Sequence, residues 1–160
     1  MAVIFSAREI AAAAVEKEKA RRAFYQSVAD LTTDEKLKAL FTFLKEEEDN
    51  HVHEFEKIRD HIPEDGGHPE EYAEEMEAYM DSVIDDQLYA DIDSKEFVQK
   101  AIGQGNVLDM AIGFEKDAIL YFREFIPFLN DADRKIVEGL IDEEKGHIRK
   151  LAQMKKQMAA

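Results

Sequence analysis

With 160 residues, the chain is long enough to form one domain with a sizeable core, and its hydrophobic content of 45% is ordinary for a globular protein. The formal net charge of −15 argues against binding to nucleic acid or to an anionic membrane surface, because both require a basic patch. The chain contains no cysteine, which excludes disulfides, thiolate-ligated metal sites and thiol catalysis.

The sequence carries no sign of membrane insertion. No stretch of about 18 apolar residues is present, and the N-terminal apolar run lacks a basic flank and ends at Arg8. We therefore expect a cytoplasmic protein.

Helical periodicity dominates the chain, and its first half predicts a pair of helices. The first helix is expected over about residues 5–31 and the second over about 34–62. Thr32 is the expected N-cap of the second helix, with Glu35 completing a Thr-x-x-Glu capping box. Pro63 and the glycines that follow it should end this helix.

The second half predicts another pair, after an acidic crossover over residues 63–93 that holds one short helix near 70–86. The third main helix is expected over about 94–125, ending at or kinked by Pro127, and the fourth over about 131–158. Three glycines inside the third helix are expected to allow close helix packing: Gly103, Gly105 and Gly113. The predicted fold is all-α, a single domain over 1–160 in which two helical hairpins form a four-helix bundle.

The fourth helix carries a carboxylate and an imidazole that share one apolar face. Glu144 and His147 lie three residues apart, a spacing that stacks two side chains about 4.5 Å apart along a helix axis. Ile141, Ile148 and Leu151 lie on the same face. Polar groups directed into a core are costly unless they are paired, and a metal ion would pair these two.

The second helix repeats this arrangement with Glu48 and His51, on a face that also carries Leu44, Val52 and Phe55. A single Glu-x-x-His is weak evidence in a chain so rich in glutamate. Two copies, each on an apolar helix face, are much stronger evidence for a site.

The repeat extends to the other two helices. Glu18 is followed by Lys and, seven residues on, by Tyr25; Glu115 is followed by Lys and, seven residues on, by Phe122. Glu18 lies 30 residues before Glu48, and Glu115 lies 29 residues before Glu144. Each predicted hairpin therefore carries two carboxylates and one imidazole on its apolar faces.

Four carboxylates and two imidazoles that converge in a bundle core match the di-iron or di-manganese carboxylate arrangement. Two divalent ions would neutralise four carboxylates, so the metal-free cluster is expected to destabilise the fold. Arg21 and Arg22 make the face around Glu18 less purely apolar than the face around Glu115.

With these motifs, the chain resembles the rubrerythrin and bacterioferritin branch of the ferritin-like superfamily, over the four main helices. The resemblance implies a ferritin-like fold with two iron ions, with manganese or a mixed pair as the alternative. It implies that Glu48 and Glu144 are bridging carboxylates and that Glu18 and Glu115 are terminal carboxylates. His51 and His147 would supply one imidazole to each metal.

The sequence departs from classical rubrerythrins in two respects. It has no cysteine-ligated rubredoxin domain, and Ala118 stands where those proteins carry an additional carboxylate one turn from the terminal ligand. The resemblance therefore does not extend to peroxidase chemistry that requires this carboxylate. Tyr25 is expected to pack in the core, and it is the candidate for a hydrogen bond to a ligand.

The remaining histidines, and the glutamates next to the ligands, are expected to lie outside the ligand set: His53, His61, His68, Glu46, Glu47 and Glu143. The leading functional hypothesis is a homodimeric oxidoreductase that reduces peroxide or dioxygen with electrons from an external donor. The alternatives are ferritin-type oxidation and storage of ferrous iron, and a metal-stabilised bundle that binds partners without catalysis.

Overall fold

The computed structural model describes residues 7–62, 82, 92 and 94–159, and within these ranges all regular structure is helical. The described residues form five α-helices: α1 (Ala7–Leu31), α2 (Glu35–His61), α3 (Lys95–Gln104), α4 (Val107–Phe125) and α5 (Asp131–Ala159). A short 3₁₀ helix, Ile126–Phe128, joins α4 to α5. The predicted crossover and its short helix lie outside the described residues except at positions 82 and 92.

The first hairpin consists of α1 and α2, close to the predicted bounds, but its cap differs from the prediction. The N-cap of α2 is Asp34, whose Oδ1 accepts hydrogen bonds from the backbone N–H groups of Lys36 and Leu37. Thr32 instead accepts one from the N–H of Asp34. The predicted Thr32–Glu35 capping box is therefore wrong, because a carboxylate nearer the helix satisfies the first free N–H groups.

The predicted third helix is divided into α3 and α4, and the division lies at Gly105. This residue has φ 72°, a left-handed conformation that glycine adopts without a steric penalty. Its N–H donates to the carbonyl of Ile102, and the N–H of Asn106 donates to that of Ala101, which closes the end of α3. The prediction of one continuous helix is wrong because Gly105 acts as a C-terminal cap.

The three glycines do not serve close helix packing, contrary to expectation. Among the described residues, a Cβ added at Gly103, Gly105 or Gly113 would meet no heavy atom within 4 Å. The second hairpin, α4 and α5, turns through the 3₁₀ helix that contains Pro127. Asn130 Oδ1 then accepts from the N–H of Asp133 at 2.8 Å in the first turn of α5.

In the part of the chain that the structure describes, the core consists of two apolar clusters. Helices α1, α2, α4 and α5 contribute residues to both of them. One cluster includes Val15, Val52, Phe55, Ala118, Phe122 and Ile141. The other includes Phe24, Tyr25, Leu44, Ala111 and Leu151. Along each of these helices, the predicted ligands fall between residues of one cluster and residues of the other.

Ile92 is also buried and belongs to the second of these clusters. Over the part of the chain that the structure describes, none of the helices combines the length and the apolar character that crossing a membrane would require.

Candidate metal centre

The structure brings all six sequence-predicted ligands together in the middle of the bundle. Helices α1 and α4 contribute one glutamate each, and α2 and α5 contribute one Glu-x-x-His pair each. Every one of these side chains is buried, with at most 3% of its surface exposed: Glu18, Glu48, His51, Glu115, Glu144 and His147. They occupy the layer between the two apolar clusters, so their charges are shielded from water on both sides.

The six residues form two overlapping groups. One consists of Glu18, Glu48, His51 and Glu144, and the other of Glu48, Glu115, Glu144 and His147. Within each group, one donor atom per residue can be chosen so that all lie within 4.8 Å of one another. Glu48 and Glu144 belong to both groups, while each group has its own additional carboxylate and its own imidazole.

His51 directs Nδ1 into the cluster and Nε2 out of it. Nδ1 lies 2.6 Å from Oε1 of Glu144 and 3.4 Å from Oε2 of Glu48. On the other side of the ring, Nε2–H donates to Oε2 of Glu143 at 2.7 Å. Glu143, half exposed on α5, thus orients the ring from outside the predicted ligand set, as carboxylates commonly do for metal-binding histidines.

The same carboxylates control the protonation of His51. Burial lowers the pKa of the imidazole, but Glu143, Glu144 and Glu48 outweigh it and raise the pKa well above the ordinary value. The hydrogen bond to His51 in turn lowers the pKa of Glu143. These carboxylates thus favour the protonated form of His51 in the metal-free protein, so a metal that binds Nδ1 would compete with a proton.

His147 also presents Nδ1 to the carboxylates. This atom lies 3.5 Å from Oε2 of Glu144, 3.6 Å from Oε1 of Glu115 and 3.9 Å from Oε1 of Glu48. The rings of His51 and His147 are nearly parallel, with centroids 5.8 Å apart and an interplanar angle of 17°. The two imidazoles thus lie side by side, with Glu48 and Glu144 close to both Nδ1 atoms.

Phe43 packs against the outer side of this histidine pair. Its ring meets that of His147 edge to face, with centroids 6.1 Å apart. The ammonium of Lys150 lies over the Phe43 ring, 5.0 Å from its centroid. The contact with Phe43 helps to fix the orientation of the His147 ring.

Tyr25, the candidate hydrogen-bonding residue of the sequence, contacts the predicted ligand on α4. Its hydroxyl donates to Oε1 of Glu115 at 2.5 Å, and both groups are buried. The ring packs against Phe24 and Phe41, at centroid distances of 5.8 and 5.6 Å. Tyr25 thus connects α1 of the first hairpin to the carboxylate of the second.

Arg21 is the residue that sequence reasoning missed. Only 2% of it is exposed, and its guanidinium lies among all four glutamates. Nη2 contacts Glu18 and lies 3.8 Å from Oε2 of Glu48, whereas Nη1 lies 3.7 Å from Oε2 of Glu115 and 3.6 Å from Oε2 of Glu144. Its position three residues after Glu18 was the available signal, since that spacing places both on one helix face.

Positive charge from Arg21 explains the ionisation of a buried carboxylate. Burial raises the pKa of Glu48, but the Arg21 guanidinium and the two imidazoles outweigh it, so that the pKa lies below its ordinary value. Glu48 is therefore held in its anionic form, which is the form that binds metals.

The donor set fits a pair of metal ions. Both oxygens of Glu18, Glu48 and Glu144 are buried without a hydrogen bond of acceptable geometry to the described part of the chain, and so are Nδ1 of both histidines. Buried polar atoms without hydrogen bonds are costly, and here they converge on one another. Carboxylate oxygens with imidazole nitrogens are the donors that suit iron and manganese.

Of the residues that were expected outside the ligand set, His53, His61 and Glu46 belong to neither candidate metal group. The Nδ1–H groups of His53 and His61 donate to backbone carbonyls one turn back on α2, those of Asp49 and Lys57. Glu46 is exposed, and His68 lies outside the described residues. Ala118 stands where rubrerythrins have an additional carboxylate. It is buried in the first apolar cluster, so this position is apolar here.

Comparison with known proteins gives an informative match to a solved structure. No protein-family model matches the chain, and a comparison with curated proteins finds no match. Among solved structures, the chain is similar to a Thermotoga maritima protein, determined at 2.30 Å resolution and provisionally described as a ferritin-like diiron-carboxylate protein. The TM-score is 0.67 at 25% sequence identity, over 96% of this chain and 97% of the other.

This match, together with the helical architecture, shows that the fold is ferritin-like, as the sequence predicted. The buried groups of glutamate and histidine make the centre of the bundle a candidate metal site of the carboxylate type. The likeness extends to the ferritin-like superfamily and does not select a branch within it.

Proposed function

We propose that the chain is a di-iron oxidoreductase that reduces peroxide or dioxygen with electrons from an external donor. The observation that carries this proposal is the pair of overlapping groups that share Glu48 and Glu144. Shared carboxylates are what a dinuclear site needs, because a carboxylate has two oxygens and can bridge two ions. The diiron-carboxylate description of the Thermotoga maritima protein supports iron as the metal.

In this proposal the ligand roles follow the two groups. Glu18 and His51 would hold one ion, Glu115 and His147 would hold the other, and Glu48 and Glu144 would contribute to both. When bound, two ferrous ions would supply the two electrons that reduce an O–O bond. Reduction of one peroxide to two waters also consumes two protons.

The residues around the cluster would hold and shield it. Glu143 keeps the ring of His51 turned with Nδ1 towards the carboxylates. Tyr25 holds Oε1 of Glu115 and places an O–H group in the buried layer. The two apolar clusters on either side limit the access of water, which favours controlled delivery of protons over leakage.

Electron supply and assembly complete the proposal. The chain has no cysteine for a rubredoxin-type centre, so we infer that a separate protein supplies the electrons. We also propose a homodimer in the cytoplasm. Within the ferritin-like superfamily, we propose that the chain belongs to the rubrerythrin and bacterioferritin branch, which its motifs resemble.

Anaerobic reconstitution with ferrous iron, followed by titration with hydrogen peroxide and separately with dioxygen, tests this function. We expect about two irons per chain, as a dinuclear bundle site requires, and oxidation of the reduced centre by one or both oxidants. A second turnover should require an added reductant. Iron binding without a reaction towards either oxidant would reject the oxidoreductase assignment.

Light scattering on the iron-loaded protein separates this function from ferritin-type storage. A dimer that holds about two irons per chain agrees with the oxidoreductase. A large shell that accumulates many irons per chain would instead identify iron as the substrate.

Arg21 favours another candidate, a binding bundle without catalysis, because it supplies positive charge to the cluster from the protein itself. That candidate predicts a folded, redox-silent protein.

A further inference from the structure

The position of Arg21 has a consequence for how metals enter the site. Its guanidinium bears one positive charge and lies within 3.8 Å of oxygens of Glu48, Glu115 and Glu144, and it also contacts Glu18. These are the four carboxylates of the two candidate metal groups. A protein cation and the metals therefore depend on the same anionic oxygens.

The two guanidinium nitrogens divide between the two metal groups. Nη2 faces Glu18 and Glu48, which belong to the group of His51. Nη1 faces Glu115 and Glu144, which belong to the group of His147. The planar guanidinium, with its fixed fork of donors, thus spans both halves of the site.

Charge counting indicates that Arg21 cannot remain in this position when both metals are bound. Two divalent ions alone neutralise the four carboxylates. A guanidinium left among them would give a buried site an excess positive charge, which is costly in a medium of low dielectric constant.

We propose that Arg21 is an internal cation that competes with the metals: it holds the four carboxylates in the metal-free protein, and it turns away from them when metals bind. The proposal rests on the metal-binding part of the proposed function and extends it to the control of loading. It also modifies the expectation that the metal-free cluster destabilises the fold, because Arg21 supplies part of the missing positive charge.

The contacts of Arg21 outside the carboxylates are compatible with such a movement. Nη1 donates to the backbone carbonyl of Phe114 at 3.5 Å, near the upper limit for a hydrogen bond. The guanidinium carbon lies 6.0 Å from the centroid of the Phe122 ring. Both groups belong to α4, so the guanidinium can withdraw from the carboxylates and still contact that helix.

The test is a titration of Arg21→Met and of the wild-type protein with Co²⁺, whose visible absorption reports coordination and which does not react with dioxygen as ferrous iron does. We expect the variant to bind Co²⁺ about tenfold more tightly or better, because the competing charge is gone. Its metal-free form should melt roughly 6 °C or more below the wild type, because buried carboxylates lose a partner. Affinity that is equal or weaker in the variant would overturn the proposal.

Arg22→Met is the matched control. Arg22 is the next residue of α1, it pairs with Asp49 at 3.0 Å, and its side chain is one-third exposed. Its loss should leave Co²⁺ affinity within about twofold of the wild type, because an exposed ion pair is screened by water. Arg21→Lys, which keeps the charge without the planar fork, should have an affinity between those of the wild type and Arg21→Met.

A second measurement needs no substitution and therefore does not depend on the folding of Arg21→Met. Nitrogen-15 NMR of the arginine side chains, with and without Zn²⁺, follows the guanidinium directly. We expect the Arg21 signals to shift and to lose protection from solvent exchange as Zn²⁺ binds. Binding of two Zn²⁺ ions with unchanged Arg21 signals would refute the competition, whereas a wild-type chain that binds no metal at all would refute the proposed function instead.

Discussion

The hydroxyl of Tyr25 on α1 donates a 2.5 Å hydrogen bond to Oε1 of Glu115 on α4, and this bond connects the two hairpins inside the carboxylate layer. Hydrogen bonds to charged groups stabilise proteins by about 1.5–3 kcal/mol. We therefore expect Tyr25→Phe to lower the free energy of unfolding of the metal-free protein by about that amount, measured by urea denaturation with a chelator present.

Tyr121→Phe is the control for this change. Its hydroxyl is also buried and donates at 2.5 Å, but to the neutral backbone carbonyl of Ile10. We expect a smaller loss of about 1 kcal/mol and no effect on metal binding. If the two variants were equally destabilised, Tyr25 would have no special relation to the carboxylates.

The shared carboxylates should control metal stoichiometry. Glu48→Ala and Glu144→Ala each remove a residue common to both groups, so we expect either change to reduce binding well below the about two ions per chain of the wild type. Elemental analysis after anaerobic loading with ferrous iron measures this. Glu46→Ala, at an exposed position of α2, should bind as the wild type does. Full stoichiometry in both buried variants would disprove the assignment of the site.

Metal binding should raise the melting temperature. A ligand that binds only the native state at 100 times its dissociation constant adds about 2.7 kcal/mol to the free energy of unfolding. For a chain of this length that corresponds to an increase of roughly 5–10 °C, measurable by calorimetry with and without Mn²⁺. Glu144→Ala should show little of this increase, and identical wild-type melts in both conditions would contradict a buried metal cluster.

Glu143 should affect metal affinity only through its hydrogen bond to His51. Glu143→Gln weakens the partner that orients the ring, so we expect metal affinity to fall by about 10- to 100-fold while stoichiometry is retained. Asp142→Asn alters an exposed neighbouring carboxylate of α5 and should change affinity little. A competition titration with a chromophoric chelator measures both variants, and equal affinities would remove Glu143 from the description of the site.

Gly105 and Gly103 form a matched pair of backbone tests, because a Cβ added at either position would meet no heavy atom of the described residues within 4 Å. Gly105 has φ 72°, so Gly105→Ala should lower the free energy of unfolding by about 1–2 kcal/mol through strain alone. Gly103 lies within α3 without this conformation, and Gly103→Ala should raise it by about 0.5–1 kcal/mol. Thermal denaturation distinguishes the two signs, and a stabilising Gly105→Ala would contradict the assigned cap.

Local patterns made the fold and the set of clustered residues predictable from the sequence. The helical period indicated the main helices, and the repeated Glu-x-x-His pairs named residues that the structure places together. Nothing in the local sequence distinguishes Gly105 from Gly103 and Gly113, since a left-handed cap depends on where the chain must change direction. The same reasoning applies to Asp34, which displaces Thr32 as the cap of α2.

The sequence does not reveal two kinds of contact in the site: contacts between distant parts of the chain, and the contact of a cation with predicted metal ligands. Glu143 meets His51 from the opposite hairpin, which no spacing within one helix can show. The sequence shows Arg21 only as a polar residue on the helix face of Glu18. A cation among the predicted metal ligands was not expected, because a metal site was assumed to be purely anionic. Its burial emerges only when four helices surround it.

Each metal group draws residues from both hairpins, since Glu144 joins Glu18, Glu48 and His51, while Glu48 joins Glu115, Glu144 and His147. A hairpin on its own carries only part of each candidate metal group, so metal binding would require both halves. Supplied as separate peptides, one spanning α1 and α2 and the other spanning α3 to α5, they should reassemble more readily when Mn²⁺ is present. With metal bound as proposed, the bundle would behave as a dimer of two related hairpins joined into one chain, with coordination bonds as the crosslink between them.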